Sequence, residues 1–363
     1  MRSSALHLAN NTFRCAQARG YSTAPKAPRH LMTIGDLTSV ELSKLVLNAA
    51  SHKRAVKSGR TQKKLNGMLT GQTVAMMFSK LSTRTRVSTE AAVAMMGGHP
   101  MFLGKNDIQL GVNESLLDTS KVISSMTSCM VARVGPHSDV TGLAEHSSVP
   151  VINALSNDFH PLQIIADFLT IHESIPKSGA RSIVPDGLKV AWVGDANNVL
   201  YDFAIACVKL GVEISVATPQ GYSIPKDMAD LIESQAKSTK TPGTLTQTYV
   251  PEEAVKGADI IVTDTWISMG QEEETQKRLN AFAGFQVTND LAKRGGAKPN
   301  WKFMHCLPRH PEEVEDAVFY SPRSLVFPEA ENRLWAAVAA LEGFVVNKGN
   351  ITGEKFGPKV WDI

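Results

Sequence analysis

The sequence predicts an α/β protein built from two doubly wound, parallel-sheet domains bridged by helices. Three observations carry that reading. From residue 36 onward helical and strand-like segments alternate, the pattern of parallel sheets joined by crossover helices. The turn-forming run Pro176-Lys177-Ser178-Gly179 divides that alternation in two. A chain of 363 residues, 43% hydrophobic and 20% charged, is long enough for two core-bearing domains. No stretch reaches the roughly 18 to 20 apolar residues that a membrane-spanning helix needs.

The first 35 residues hold five basic side chains (Arg2, Arg14, Arg19, Lys26, Arg29) and no acidic one, and they lack a long apolar run. Rich in Ser and Ala, this segment reads as a mitochondrial transit peptide rather than a secretory signal. Residues 1–24 are expected to be removed near Tyr21 to Pro25, leaving a protein of the mitochondrial matrix; a basic disordered tail is the alternative. Apart from those five, 33 basic side chains face 35 acidic ones, so bulk charge gives no reason to expect nucleic acid or a membrane surface as partner. Cys15 lies in the leader. Cys129, Cys207 and Cys306 are too far apart for a local metal knuckle, and their odd number suits reduced thiols.

Thr38 with Glu41 forms a capping-box pattern, and Leu42, Leu45, Val46 and Ala49 recur at helical spacing, so a helix is expected to about Val56. A polar linker leads to a strand from Thr73 to Phe78. A helix from Val87 to Met96 ends at Gly97-Gly98. A short strand at Met101 to Leu103, a polar loop from Gly104 to Ser115, a helix to about Cys129 and an apolar run from Met130 to Arg133 follow. Gln163 to Glu173 is expected to be helical. In the second half Lys189 to Asp195, Val212 to Ala217, Asp259 to Thr263 and Phe303 to Cys306 read as strands separated by helices. Glu329 to Phe344 reads as an amphipathic helix through Leu334, Val338 and Leu341. Asn347 to Ile363 reads as a polar tail.

The chemistry concentrates at the ends of these strands, where open α/β sheets place their ligands. Ser82-Thr83-Arg84-Thr85-Arg86 lies between a strand and a helix. Free backbone N–H groups, hydroxyls and planar guanidinium donors there make a multidentate phosphate cradle; a capped helix bearing surface arginines is the plainer alternative. His160-Pro161-Leu162-Gln163 can turn a ring nitrogen and an amide onto one small polar group, or simply cap a helix. Gly194-Asp195-Ala196-Asn197-Asn198 follows a strand but lacks G-x-G-x-x-G, which disfavours a nicotinamide cofactor; its two Asn side chains suit a carboxylate, or helix capping. Asp264-Thr265-Trp266-Ile267-Ser268-Met269-Gly270 sets a carboxylate before a flexible loop, and the charged run Gln271 to Arg278 reads as a solvent-exposed lid. In His305-Cys306-Leu307-Pro308-Arg309 adjacent strand residues point to opposite faces, so a Cys-His nucleophile dyad is badly placed. That strand end is better suited to present carbonyls and one sulfur to a substrate.

S-T-R-T-R, H-P-x-Q, D-x-x-x-S-M-G, H-C-L-P and Glu331-Asn332-Arg333, in that order, resemble the ornithine carbamoyltransferase family over residues 35 to 346. The third and fourth motifs separate it from aspartate carbamoyltransferase. A basic presequence, with Ser79 where many relatives carry Glu, resembles a fungal mitochondrial form. The resemblance implies a carbamoyl phosphate domain over residues 35–173, completed by the helix 329–346, and an ornithine domain over 180–325. It implies that Ser82, Thr83, Arg84 and Thr85 hold the phosphate, and that Arg133, His160 and Gln163 bind the carbamoyl group. Arg333 would complete the anion site, and Gln109 would reach a neighbouring subunit's site in a homotrimer. Asn198, Asp264, Ser268 and Met269 would bind ornithine. Cys306 and Leu307 would line the reacting end, so that Cys306, Arg133 and His160 surround the reacting carbon. No metal or organic cofactor is implied, because the leaving group is already activated and the protein has to position and stabilise charge. Competing readings are a carbamoyltransferase for another amine such as putrescine, a silent relative that binds these ligands and regulates a partner such as arginase, and a dinucleotide-dependent dehydrogenase.

Overall fold

Thr38 opens the first helix, its hydroxyl accepting from the Glu41 amide while the Glu41 carboxylate accepts from the Thr38 amide. In the computed structural model, which describes residues 27–59, 65–107, 114–176, 182–267, 272–353 and 356, this is α1 (Ser39–Lys57). It is followed by β1 (Thr73–Phe78), α2 (Thr83–Met95), β2 (His99–Gly104), α3 (Leu116–Met126), β3 (Cys129–Arg133), α4 (His137–His146), β4 (Val151–Leu155) and α5 (Pro161–Ser174). The second half brings β5 (Lys189–Val193), α6 (Asn198–Leu210), β6 (Glu213–Ala217), α7 (Lys226–Lys237), β7 (Thr244–Thr248) and α8 (Pro251–Val255). Then come β8 (Ile260–Val262), α9 (Thr275–Ala281), α10 (Asn289–Gly295), β9 (Lys302–Met304), α11 (Asp316–Phe319) and α12 (Val326–Leu341).

Two wholly parallel sheets result, one ordered β2-β1-β3-β4 and the other β7-β6-β5-β8-β9. Each order reverses once, between β1 and β3 and between β5 and β8, and a crevice opens beyond the carboxyl ends of strands at such a point. Burial follows the pleat. Val74, Met76 and Phe78 face a core shared with α1, α5 and α12, whereas Ala75 and Met77 pack with Val140 and Leu143 of α4 on the other side. The shared core runs on without a break to Val190, Trp192 and Ile214 of the second sheet, so α5 and α12 act as a common wall. Among the described residues α12 is buried on most of its circumference, which suits a helix enclosed by two domains.

A second tie lies at the amino-terminal side. Along the β4 edge the Leu31 amide donates to the Val151 carbonyl and the Leu31 carbonyl accepts from the Asn153 amide, while Thr33 and Ile34 donate to the Asp202 carboxylate of α6 at 2.6 and 2.9 Å. Lys209, also on α6, donates to the Gly35 and Leu37 carbonyls. This short strap therefore links the edge of the first sheet to a helix of the second domain.

Three expectations need correction. The cradle helix begins at Thr83, not Val87, with Ser82 as its N-cap, so the Arg-rich motif occupies the first helical turn. The carboxyl-terminal tail is not simply polar: Ile351 is fully buried and Phe356 is 4% exposed, both within the shared core. In the charged run after Gly270, Arg278 is buried and pairs with Asp195 at 2.9 Å, because its guanidinium also donates to the Trp266 carbonyl and lies over the Tyr222 ring. The helix α4 and the strands β4 and β7 go beyond the sequence reading; β7 is short, polar and largely exposed, so it carries no apolar alternation.

Candidate active site

Arg133 ends β3, and the 82–85 motif follows β1, so the reversal of the first sheet brings them together. Ser82 accepts from the Thr85 amide at 3.3 Å, which orders the first turn of α2 and leaves other N–H groups of that turn directed at the crevice. Arg333 of α12 donates to the Thr85 hydroxyl at 3.1 Å and to the Gln163 carbonyl oxygen at 2.6 Å. Arg84 reaches across to the carbonyl of Leu307, a residue held at φ 64 at the end of the second sheet.

Among the described residues these three guanidinium groups converge without forming an ion pair with a carboxylate. Burial, together with Arg333 and Arg84, pushes Arg133 down to about 10. Burial and Arg84 do the same to Arg333, against the pull of nearby acidic groups. Each of these two buried arginines leaves its Nε without a partner. A dianion placed here would meet several directed donors at once, and it would relieve the repulsion among them. His160 sits at the N-cap position of α5 without capping it, and its buried Nδ1 is unpartnered. Burial and the three arginines hold its ring neutral, well below the ordinary histidine range, so it can serve as a polar donor without adding charge.

The second sheet supplies the opposite wall. Gly194 follows β5 at φ 145, and a Cβ there would lie 2.9 Å from the Thr263 hydroxyl, so glycine permits the close approach of the β5 and β8 ends. Asn197 caps α6 by accepting from the Val199 and Leu200 amides, and its side-chain NH2 donates to Asp264 at 2.8 Å. The other oxygen of Asp264 accepts from the Cys306 thiol at 2.9 Å. Burial and this carboxylate push the Cys306 thiol well up, so the neutral thiol is favoured and a thiolate nucleophile is not. His305 and Cys306 follow the end of β9 and do not diverge onto opposite faces as expected of strand residues: His305 Nε2 meets Glu313 at 2.9 Å, while a ring nitrogen lies within 4.8 Å of the Cys306 sulfur. Asp264, His305 and Cys306 lie close enough for a metal ion, yet both His305 nitrogens are engaged, one with Glu313 and the other with the Leu307 amide.

Of the sequence-derived candidates, Ser82, Thr83, Arg84, Thr85, Arg133, His160, Gln163, Asp264, Cys306, Leu307 and Arg333 lie on the elements that meet at this crevice. Asn198 instead donates across the crevice to the Ser156 carbonyl at 2.6 Å. Gln109, Ser268 and Met269 lie outside the described residues. Sequence reasoning missed Asn197 as the group orienting Asp264, and missed the buried acids Asp167 and Glu329, which receive the Gln163 NH2 at 2.7 and 3.2 Å. Only Asp167 carried a signal, standing one helical turn after Gln163.

Comparison with known proteins places this architecture in one family. The model for "Aspartate/ornithine carbamoyltransferase, carbamoyl-P binding domain" matches residues 29–173, and that for the Asp/Orn binding domain matches residues 186–343. The chain belongs to the aspartate/ornithine carbamoyltransferase family. Within it, the chain is 68% identical over 336 residues to the mitochondrial ornithine carbamoyltransferase of Coccidioides immitis, covering 91% of this chain and 96% of that one. It is 47% identical to the ornithine carbamoyltransferase of Saccharomyces cerevisiae, over 91% of this chain and 97% of that one. The crystal structure of the C. immitis enzyme superposes with a TM-score of 0.84 at 66% identity, covering 90% of this chain and 99% of that one. The Pyrococcus furiosus ornithine carbamoyltransferase gives 0.80 at 42% identity, over 88% and 98%.

Proposed function

We infer that this chain transfers the carbamoyl group of carbamoyl phosphate to the δ-amine of L-ornithine, giving L-citrulline and phosphate, a step of arginine biosynthesis. The observation that carries the reading is the convergence of Arg84, Arg133 and Arg333 on the first turn of α2, opposite the Asp264 carboxylate and Cys306. An anion site and an ammonium-binding acid face each other across one crevice.

In this assignment Ser82, Thr83, Arg84 and Thr85 hold the phosphate, with Arg333 closing the cradle. Arg133, His160 and Thr85 surround the carbonyl oxygen, and the Gln163 carbonyl and the Cys306 and Leu307 carbonyls receive the carbamoyl NH2. Asn198, Asp264, Ser268 and the Met269 backbone bind the α-carboxylate and α-ammonium of ornithine. Its neutral δ-amine attacks the carbonyl carbon, and charge builds on the carbonyl oxygen beside Arg133 and the neutral His160 ring. The tetrahedral intermediate then breaks its C–O bond to expel phosphate into the arginine cradle, and the extra proton on the attacking nitrogen leaves with the departing phosphate. Arg84 and Asn198, which span the crevice to Leu307 and Ser156, exchange those contacts for substrate.

The relatives' mitochondrial naming and the acid-free basic leader support delivery to the mitochondrial matrix with loss of about residues 1–24. A homotrimer in which Gln109 serves a neighbouring site suits the apolar side chains exposed on the first domain. Leu81, Val87, Met101, Leu117, Val122 and Met126 are all exposed, at 38 to 87%.

The test is citrulline formation by protein lacking residues 1–24, with carbamoyl phosphate and either ornithine or putrescine as acceptor. Turnover with ornithine alone is expected. Turnover with putrescine would move the assignment to another amine, and ligand binding without turnover would move it to a regulator of an arginase-type partner.

A further inference from the structure

Beneath the crevice lies a buried group of side chains that the reaction scheme does not use. Asp167 of α5 and Glu329 of α12 are 3% and 2% exposed, and both carboxyls receive the side-chain amide of Gln163. Two carboxylates this close in a buried site cannot both ionise, so one proton is shared between them. Burial pushes both carboxyls up, Asp167 to about 7 and Glu329, beside the Asp167 charge, well up.

Between them the acids occupy both hydrogens of one amide. Gln163 Nε2 donates to Asp167 Oδ1 at 2.7 Å and to Glu329 Oε1 at 3.2 Å. Gln163 Oε1 is thereby turned the other way, where it accepts from Arg333 Nη1 at 2.6 Å. The flipped amide would set its NH2 against the Arg333 guanidinium, two donors facing each other. Meanwhile Glu329 Oε2 accepts from the His305 backbone N–H at 3.0 Å, at the head of the turn that presents the Cys306 and Leu307 carbonyls. One carboxyl therefore touches both an amide of the first domain and a strand end of the second.

We propose that Asp167 and Glu329 are a positioning pair for carbamoyl transfer: they fix which end of the Gln163 amide faces the carbamoyl group and hold the His305–Leu307 turn in register with it. The pair touches no substrate in this scheme. The inference rests on the reaction assigned above and adds the residues that aim its acceptors. It follows that carbamoyl orientation depends on the pair, whereas phosphate capture by residues 82–85 and the arginines does not.

The test uses Glu329→Gln, which puts an NH2 where the shared proton and the Gln163 amide must both be accommodated. The expected result is a fall in kcat for citrulline of about tenfold to a hundredfold, the scale of a small misplacement of reacting groups. The dissociation constant for inorganic phosphate should stay within about twofold. Gln163→Ala should lose a comparable factor, and the double variant should lose much less than the product of the two, because both act through one amide. A wild-type kcat in Glu329→Gln, full additivity in the double variant, or loss of phosphate binding in step with kcat overturns the proposal. Should Glu329→Gln fail to fold, Gln163→Glu takes its place, since a third carboxyl offers the pair no amide hydrogens; full turnover there is equally fatal. A wild-type chain that makes no citrulline sinks the reaction assignment and this inference together, whereas an active wild type with an unaffected Glu329→Gln sinks the inference alone.

Discussion

In the proposed assignment Arg84 and Asp264 divide the two substrates between them, and the division can be read out separately. Arg84→Ala removes a charge-assisted donor worth about 1.5 to 3 kcal/mol, so it should raise the KM for carbamoyl phosphate by about tenfold or more. Unchanged affinity and turnover would remove it from the cradle. Asp264→Asn leaves Asn197 and Cys306 facing an amide instead of a carboxylate. It should impair ornithine use while phosphate binding stays nearly intact, and the reverse pattern would reject the assignment. The acceptor amine has a pKa near that of lysine, about 10.4, so it is mostly protonated at neutral pH. Since only the neutral amine attacks, kcat/KM for ornithine should rise about tenfold per pH unit between about pH 7 and 9. A flat profile would show that amine deprotonation does not limit the reaction. At this scale sequence is most informative where the chemistry is local. The 82–86 motif announces a candidate anion cradle through neighbouring residues, whereas the strand alternation expected of His305 and Cys306 fails because β9 ends at Met304. Asn197 and Glu329 stay silent because their meaning lies in partners 67 and 166 residues away.

Elements were legible in proportion to their apolar periodicity. β1 and α1 stand where the apolar run and the capping box put them, whereas the exposed, polar β7 gives no such pattern. The carboxyl-terminal tail is the instructive failure, since its polar composition hides two residues that the core requires. After α12 the chain closes a wider turn over Glu342–Val346, whose Glu342 carboxylate receives Asn48 and His52 of α1 at 2.7 and 2.6 Å. Arg29 and Lys44 then hold the Gly349 and Thr352 carbonyls at 2.9 and 2.8 Å, which presses Ile351 into the core. Ile351→Ala should therefore cost about 2 to 5 kcal/mol, the range for truncating a buried aliphatic side chain. Urea denaturation would measure it, and a change below about 0.5 kcal/mol would mean that the tail is not docked in solution.

At the scale of the molecule, two sheets point their reversal points at one crevice, and the strap at residues 31–37 and α12 hold them together. The two-sheet architecture was foreseeable from the alternation of elements. That α12 crosses back to complete the first domain was implied by resemblance, because no local pattern tells a helix which sheet it will cover. A site made from both ends of the chain should report its ligand through global stability. Inorganic phosphate or carbamoyl phosphate at about 100 times its dissociation constant should stabilise the fold by about 2.7 kcal/mol, visible as a rise in Tm. Arg84→Ala should blunt that rise, and an equal rise in the variant would place the bound anion elsewhere.

The bond between Thr85 and Arg333 joins residues 248 positions apart. Its consequence concerns time rather than geometry. A chain threading through a narrow channel, out of a ribosome or across an organelle's membranes, delivers the Ser82–Thr85 turn early and Arg333 almost last. Throughout that interval the proposed cradle lacks its closing arginine and both sheets lack a shared wall, so a partly delivered chain holds only an incomplete and unsupported anion site. Activity should switch on only when nearly the whole chain has arrived, and a polypeptide stopped short of α12 should be inert rather than merely slow.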